Sequence, residues 1–214
     1  MLVPIVKYGS HILRMHSNAV TKEDNPIQIS GNLFETLKKN GGIGLAAPQV
    51  GILKRAFVID TSIMTEDDKG LEKYQKFFMN PEILWQSPEE VYFREGCLSI
   101  PGIYEDVLRP DKIKIRYSDI NSNTIEEEFN GIKARIFQHE YDHLDGILLI
   151  DRLSHLRRKF LTSRLNKIKI KNSNTKMAWI KNIQFKKLNY PILKVLSLLL
   201  RVREGWENQP SRLV

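Results

Sequence analysis

His139-Glu140-Tyr141-Asp142-His143 sets two histidines four residues apart, with a glutamate directly after the first. On a helix, positions i and i+4 share a face, so both imidazoles can reach one metal ion with Glu140 beside them as general base. The plainer reading of the same pentapeptide is an amphipathic helix with two half-exposed histidines. Cys97 bears on that choice. It is the only cysteine in 214 residues, so it makes no intramolecular disulfide, and taken alone it reads as a small buried hydrophobe. Its neighbours Gly96 and Pro101-Gly102 are residues that special backbone geometry needs. Cys97, His139 and His143 would supply three protein ligands and leave one position open, the arrangement of a catalytic metal site.

A third segment, Gly41-Gly42-Ile43-Gly44-Leu45-Ala46-Ala47-Pro48-Gln49, places three glycines in four residues ahead of small side chains. Such a backbone can approach a ligand closely. Neither a Gly-Lys-Ser/Thr ending nor a Gly-x-Gly-x-x-Gly pattern is present, which argues against a phosphate loop. Gly41-Gly42 also suits a helix C-cap and a turn into a strand. Gln49 stands out as an amide able to polarise a carbonyl. Asp142 lies at i+3 from His139, away from the pair, and reads as an ion-pair or supporting carboxylate. Glu95 has the same choice, and a hydrogen bond from it would orient a ligand histidine. His11, His16 and His155 have no partners at ligand spacing and read as surface or helix histidines.

In this order and spacing the three segments resemble the peptide deformylase family over roughly residues 1–170. The segments that carry the resemblance are Gly42-Ile43-Gly44-Leu45-Ala46-Ala47-Pro48-Gln49, Glu95-Gly96-Cys97-Leu98-Ser99 and His139-Glu140-Tyr141-Asp142-His143. The resemblance implies hydrolysis of the formamide on formyl-methionyl nascent peptides, with release of formate. It implies Cys97, His139 and His143 as ligands of one divalent ion, Fe²⁺ first, with Zn²⁺, Ni²⁺ or Co²⁺ as substitutes. A thiolate ligand makes the ion a weaker Lewis acid and admits softer, redox-active metals. It further implies Glu140 as general base, the Gln49 amide and the Leu98 backbone N–H as oxyanion donors, and the Gly44 backbone as a hold on the peptide. Ile43, Ile132 and Ile136 border the motifs and are candidates for an apolar methionine pocket. The competing enzyme reading is a zinc endopeptidase, which shares the two-histidine helix and its glutamate.

The elements that must position these residues follow from the hydrophobic pattern. Leu33, Phe34 and Leu37 recur at helical spacing, giving a helix over 27–40. Arg55 to Asp60 reads as a short strand, and the polar stretch from Thr61 to Lys73 as a loop. Phe77-Phe78-Met79 and Glu90-Val91-Tyr92-Phe93 suit two short strands, with Asn80-Pro81 and Ser87-Pro88 as turns between them. Lys112 to Tyr117 alternates and could pair with Thr124 to Phe129. Gly131 opens the metal helix and Asp145-Gly146 closes it. Leu153, Leu156, Phe160, Leu161 and Leu165 mark a helix from Ser154 to about Asn166, basic on its other face. The fold class is therefore α+β: antiparallel strands packed around a central helix that carries the metal motif, with a C-terminal helix.

At 42% hydrophobic the chain can bury one good core, residues 1–170, followed by a basic extension over 171–214. Within that extension Met177 to Ile180 is short and apolar enough for a final strand, and Ile192 to Val202 for a helix. The first residues lack the basic region and apolar run of a signal peptide, and no apolar run approaches membrane-spanning length. One cysteine and no export signal point to the cytoplasm. Charge is unevenly shared: residues 1–151 carry 17 Lys/Arg and 23 Asp/Glu, whereas residues 152–214 carry 16 Lys/Arg and 2 Glu, a net of +14. Such asymmetry points to a polyanionic partner, which the resemblance implies would be the ribosome, with a merely solvated basic face as the alternative. No feature calls for DNA.

Overall fold

The computed structural model describes residues 2–62, 64 and 73–182, with side chains as far as residue 169. The chain divides into two units, Met1–Asn174 and Thr175–Val214, and the packing described below is that of the first. Helix α1 spans Pro26–Asn40, with Pro26 in its first turn and the Asn25 side chain accepting from the Gln28 N–H. Gly41 ends it in the left-handed conformation, φ 64°, and its N–H returns to carbonyls of the last turn. Strands β1 (Gly44–Ala46), β2 (Ala56–Asp60) and β3 (Gln75–Gln86) follow, then β4 (Glu90–Cys97), β5 (Ile100–Pro110), β6 (Lys112–Ser118) and β7 (Thr124–Asn130). Helix α2 spans Gly131–Leu144 and α3 spans His155–Asn182. The strands form an antiparallel five-stranded sheet in the order β1-β2-β3-β6-β7 and a separate hairpin of β4 and β5.

Strand β2 is buried on both faces, which explains its unbroken run Ala56-Phe57-Val58-Ile59. Phe57 and Ile59 join Phe78, Tyr117, Phe129 and Phe137 in a core between the sheet and α2. Ala56 and Val58 join Leu33, Leu37 and Leu45 in a second core against α1. The Phe57, Phe78 and Phe137 rings meet at centroid distances of 4.9 to 5.2 Å. A third core, with Leu13, Ile103, Val107, Leu161 and Leu165, lies under the β4–β5 hairpin.

Several expectations need correction. Asn80-Pro81 does not end a strand: β3 runs through it with a register shift between Met79 and Glu82. Asn80 takes φ 50° and its side chain bonds both the N–H and the C=O of Val20, so the bulge has its own polar partners. Met177 to Ile180 is helical, and α3 runs well past Asn166. No Gly or Pro occurs between Ser154 and Tyr190, so the sequence offers no stop signal there. On α3, Leu161 and Leu165 are buried, whereas Leu156 and Phe160 are 62% and 69% exposed. Most of the loop read over Thr61 to Lys73, and the helix read over Ile192 to Val202, lie outside the described residues. Among the described residues no helix is long and apolar enough to cross a membrane.

Candidate active site

Three elements converge on the motifs. Cys97 is the last residue of β4 and pairs with Ile100 across the two-residue turn Leu98-Ser99. His139 and His143 stand one turn apart on α2, their rings 5.2 Å between centroids and nearly perpendicular. The ligand atoms of Cys97, His139 and His143 all lie within 4.8 Å of one another, and Cys97 Sγ is 3.4 Å from His143 Nε2. Donors held at bonding distance from one tetrahedral ion would be about 3.5 Å apart, so the set fits a single metal of the kind that accepts N and S ligands.

Nearly all of α2 from Ala134 to Leu144 is buried, polar residues included, so each of those needs a partner. His139 Nδ1 meets Glu95 Oε2 at 2.8 Å. Arg109, 3% exposed, grips both Glu95 oxygens (2.7 and 3.0 Å) and reaches Asp142 Oδ2 at 2.7 Å. Arg135 adds a bond to Glu95 at 3.0 Å, and Arg152 holds Asp142 from outside. Burial alone would raise the Glu95 carboxyl, but hydrogen bonds with His139 and Arg109 hold it well below the usual carboxylate range. Burial also disfavours a charged His139, yet its contacts with Cys97 and Glu95 outweigh that, and the same contacts favour a metal cation in place of the proton. Burial drives His143 well below its ordinary value, leaving it a neutral donor, and its Nδ1 finds no partner among the described residues.

Glu140 differs from its neighbours. Its Oε2 is buried with no hydrogen-bond partner among the described residues, and burial pushes the carboxyl up to about 7. The carboxyl lies against Gly44 of β1, where an added Cβ would sit 2.9 Å from Glu140 Cγ and closer still to the carboxylate. Gln49 follows in a 3-10 turn, its Oε1 accepting from the Ala46 N–H at 2.8 Å. That fixes its amide nitrogen towards Ser99 Oγ (3.3 Å) and Cys97 Sγ (3.6 Å). Gly44, Gln49, Leu98 and Glu140 line one cavity of about 450 Å³ together with Cys97 and His139. Ile43, Ile132 and Ile136 line it as well, and Ile136 belongs at the same time to the core between the sheet and α2.

The family model described as polypeptide deformylase matches residues 2–159. The chain belongs to the peptide deformylase family. A peptide deformylase of Cytophaga hutchinsonii is 42% identical over 169 residues, spanning 78% of this chain and 91% of that one. The solved deformylase of Plasmodium falciparum superposes with a TM-score of 0.73 at 39% identity, covering 80% of this chain and 98% of that one. That of Thermotoga maritima gives 0.64 at 41% identity, over 72% and 99%. Deformylases are hydrolases that remove the N-formyl group from nascent peptides, and the endopeptidase alternative gains no support from these relatives.

Sequence reasoning read Glu95 and Asp142 each as an ion-pair or supporting carboxylate, and the structure pairs Glu95 with His139 and Asp142 with Arg109 and Arg152. It missed Arg109. The inward-facing positions of β5, Ile103, Glu105, Val107 and Arg109, are half polar, so no apolar–polar alternation in the sequence marked Arg109 as buried. His11, His16 and His155 are exposed, as expected.

Proposed function

We propose that Cys97, His139 and His143 hold one divalent ion, Fe²⁺ in the native enzyme with Zn²⁺, Ni²⁺ or Co²⁺ as substitutes. A bound ion supplies Lewis acidity and brings the pKa of a water molecule towards neutrality. Glu140 takes the proton of the attacking water and delivers it to the departing amine. The Gln49 amide and the Leu98 N–H face the developing oxyanion of the formyl group, and the Gly44 backbone holds the peptide. Ile43, Ile132 and Ile136 take the methionine side chain. The observation that supports this reading is the buried Glu140 carboxyl, whose Oε2 has no hydrogen-bond partner among the described residues, lining the same cavity as Cys97 and His139 of the three-residue ligand cluster. The test is formate release from a formyl-methionyl tripeptide by anaerobically purified, metal-loaded protein. Cleavage of an unformylated peptide with no formate release would instead favour an endopeptidase.

A deformylase working on emerging chains in the cytoplasm would meet the ribosome, and the +14 segment over residues 152–214 supports electrostatic docking to it. The basic residues of α3 are not equivalent in this respect. Arg157 pairs with Glu105, Arg158 donates to the carbonyls of Ile150 and Asp151, and Arg164 donates to the carbonyl of Gly102. Lys159 and Lys167 are exposed and stand as the docking candidates among the described residues.

A further inference from the structure

The segment Val6-Lys7-Tyr8 belongs to none of the three motifs, yet it is bonded to two of them. The Val6 N–H donates to the Gln49 carbonyl at 2.7 Å, and the Tyr8 N–H donates to the Ser99 carbonyl at 2.8 Å. Between them the Lys7 ammonium donates to the Leu98 carbonyl at 2.8 Å. Lys7 lines the same cavity as Gln49, Cys97 and Leu98. Val6 and Tyr8 pack on the core under the β4–β5 hairpin, so the segment is anchored by its apolar side chains while its polar groups face the site.

We infer that Lys7 is a positioning residue for catalysis, clamping the Leu98-Ser99 turn so that the Leu98 N–H and the Gln49 amide keep one fixed separation. The two oxyanion donors, Gln49 and Leu98, are 49 residues apart in sequence, and Ser99 Oγ already accepts from Gln49 Nε2. Three donors from one anchored segment tie the backbones of both to a common support. A two-residue turn without that support can rotate its peptide planes, and displacing a reacting or stabilising group by about 1 Å can cost roughly a hundredfold in rate. The charge on the donor matters too, because a hydrogen bond from an ammonium is stronger than one from a neutral group.

This inference rests on the oxyanion roles proposed above for Gln49 and Leu98. The test compares metal-loaded wild type, Lys7→Met and Lys7→Arg on a formyl-methionyl tripeptide, with metal content and melting temperature measured on each. Methionine keeps the apolar stem and removes the donor. Lys7→Met is expected to lower kcat by roughly ten- to a hundredfold, with KM within about twofold and metal content and melting temperature retained. Lys7→Arg, which restores a charged donor, is expected to recover most of the loss. An unchanged kcat in Lys7→Met would overturn the inference. So would a rise in KM alone, an activity loss that tracks metal loss or melting temperature, or equal defects in the two variants. Absence of formate release by the wild type would instead remove the deformylase mechanism itself, so the two failures are distinguishable.

Discussion

Burial pushes the Glu140 carboxyl up to about 7, whereas a dication in the adjoining Cys97, His139 and His143 set would favour the carboxylate. A carboxyl caught between those opposing pulls is suited to the proposed role, accepting and returning a proton near neutral pH. Glu140→Gln should keep the metal stoichiometry of the wild type and lose formate release by about 10²–10⁴-fold. Metal loss in step with activity would make Glu140 a ligand instead. Gly44 tests the same carboxylate from the other side. Its missing Cβ is the space that Glu140 fills, so Gly44→Ala should displace the base and reduce kcat while the metal stays bound. Wild-type turnover in that variant would mean the contact is slack. At this scale much was legible, because an i, i+4 histidine pair on a helix fixes its own geometry. Which atoms stand behind it was not: Arg109 lies 30 residues from His139, and only folding brings it beneath Glu95.

Among the elements, α1, β2, β6, β7 and the limits of α2 follow from periodicity and from Gly41, Gly131 and Gly146. Strand β5 was harder. It begins just after the motif, at Ile100-Pro101-Gly102, where the proline and glycine read only as a need for special backbone geometry, and its inward positions include Glu105 and Arg109. Polar residues facing inward break the apolar–polar alternation that identifies a strand, and the cause is functional: this strand delivers the guanidinium that locks α2 to the hairpin. Breaking that lock should be costly. Arg109→Met leaves Glu95 and Asp142 buried without their shared cation, and should destabilise the fold by about 3–5 kcal/mol. It should also weaken metal binding roughly 10–100-fold, since Glu95 then holds His139 less firmly. Urea unfolding and a metal titration of the folded variant separate the two effects. Unchanged metal affinity would confine Arg109 to structure.

The molecule as a whole divides its charge between an acidic stretch, residues 1–151, and a basic one, residues 152–214. That division was plain in the sequence, but which cations of α3 are available was not, since Arg157, Arg158 and Arg164 are each engaged by the β4–β5 hairpin or the turn before α3. Removing those three would confound docking with stability. Lys159 and Lys167 avoid the difficulty, being exposed and absent from the cavity that holds the motifs. Lys159→Glu with Lys167→Glu should therefore weaken co-sedimentation of the full chain with ribosomes at low salt. Wild-type binding should itself fall steeply as salt rises, because each phosphate contact releases counterions. Formate release from a free formyl-methionyl tripeptide should stay near wild type in the double variant. Co-sedimentation that is unchanged by both lysines and insensitive to salt would leave this face of α3 simply solvated, and would place any ribosome contact elsewhere in the basic segment or nowhere.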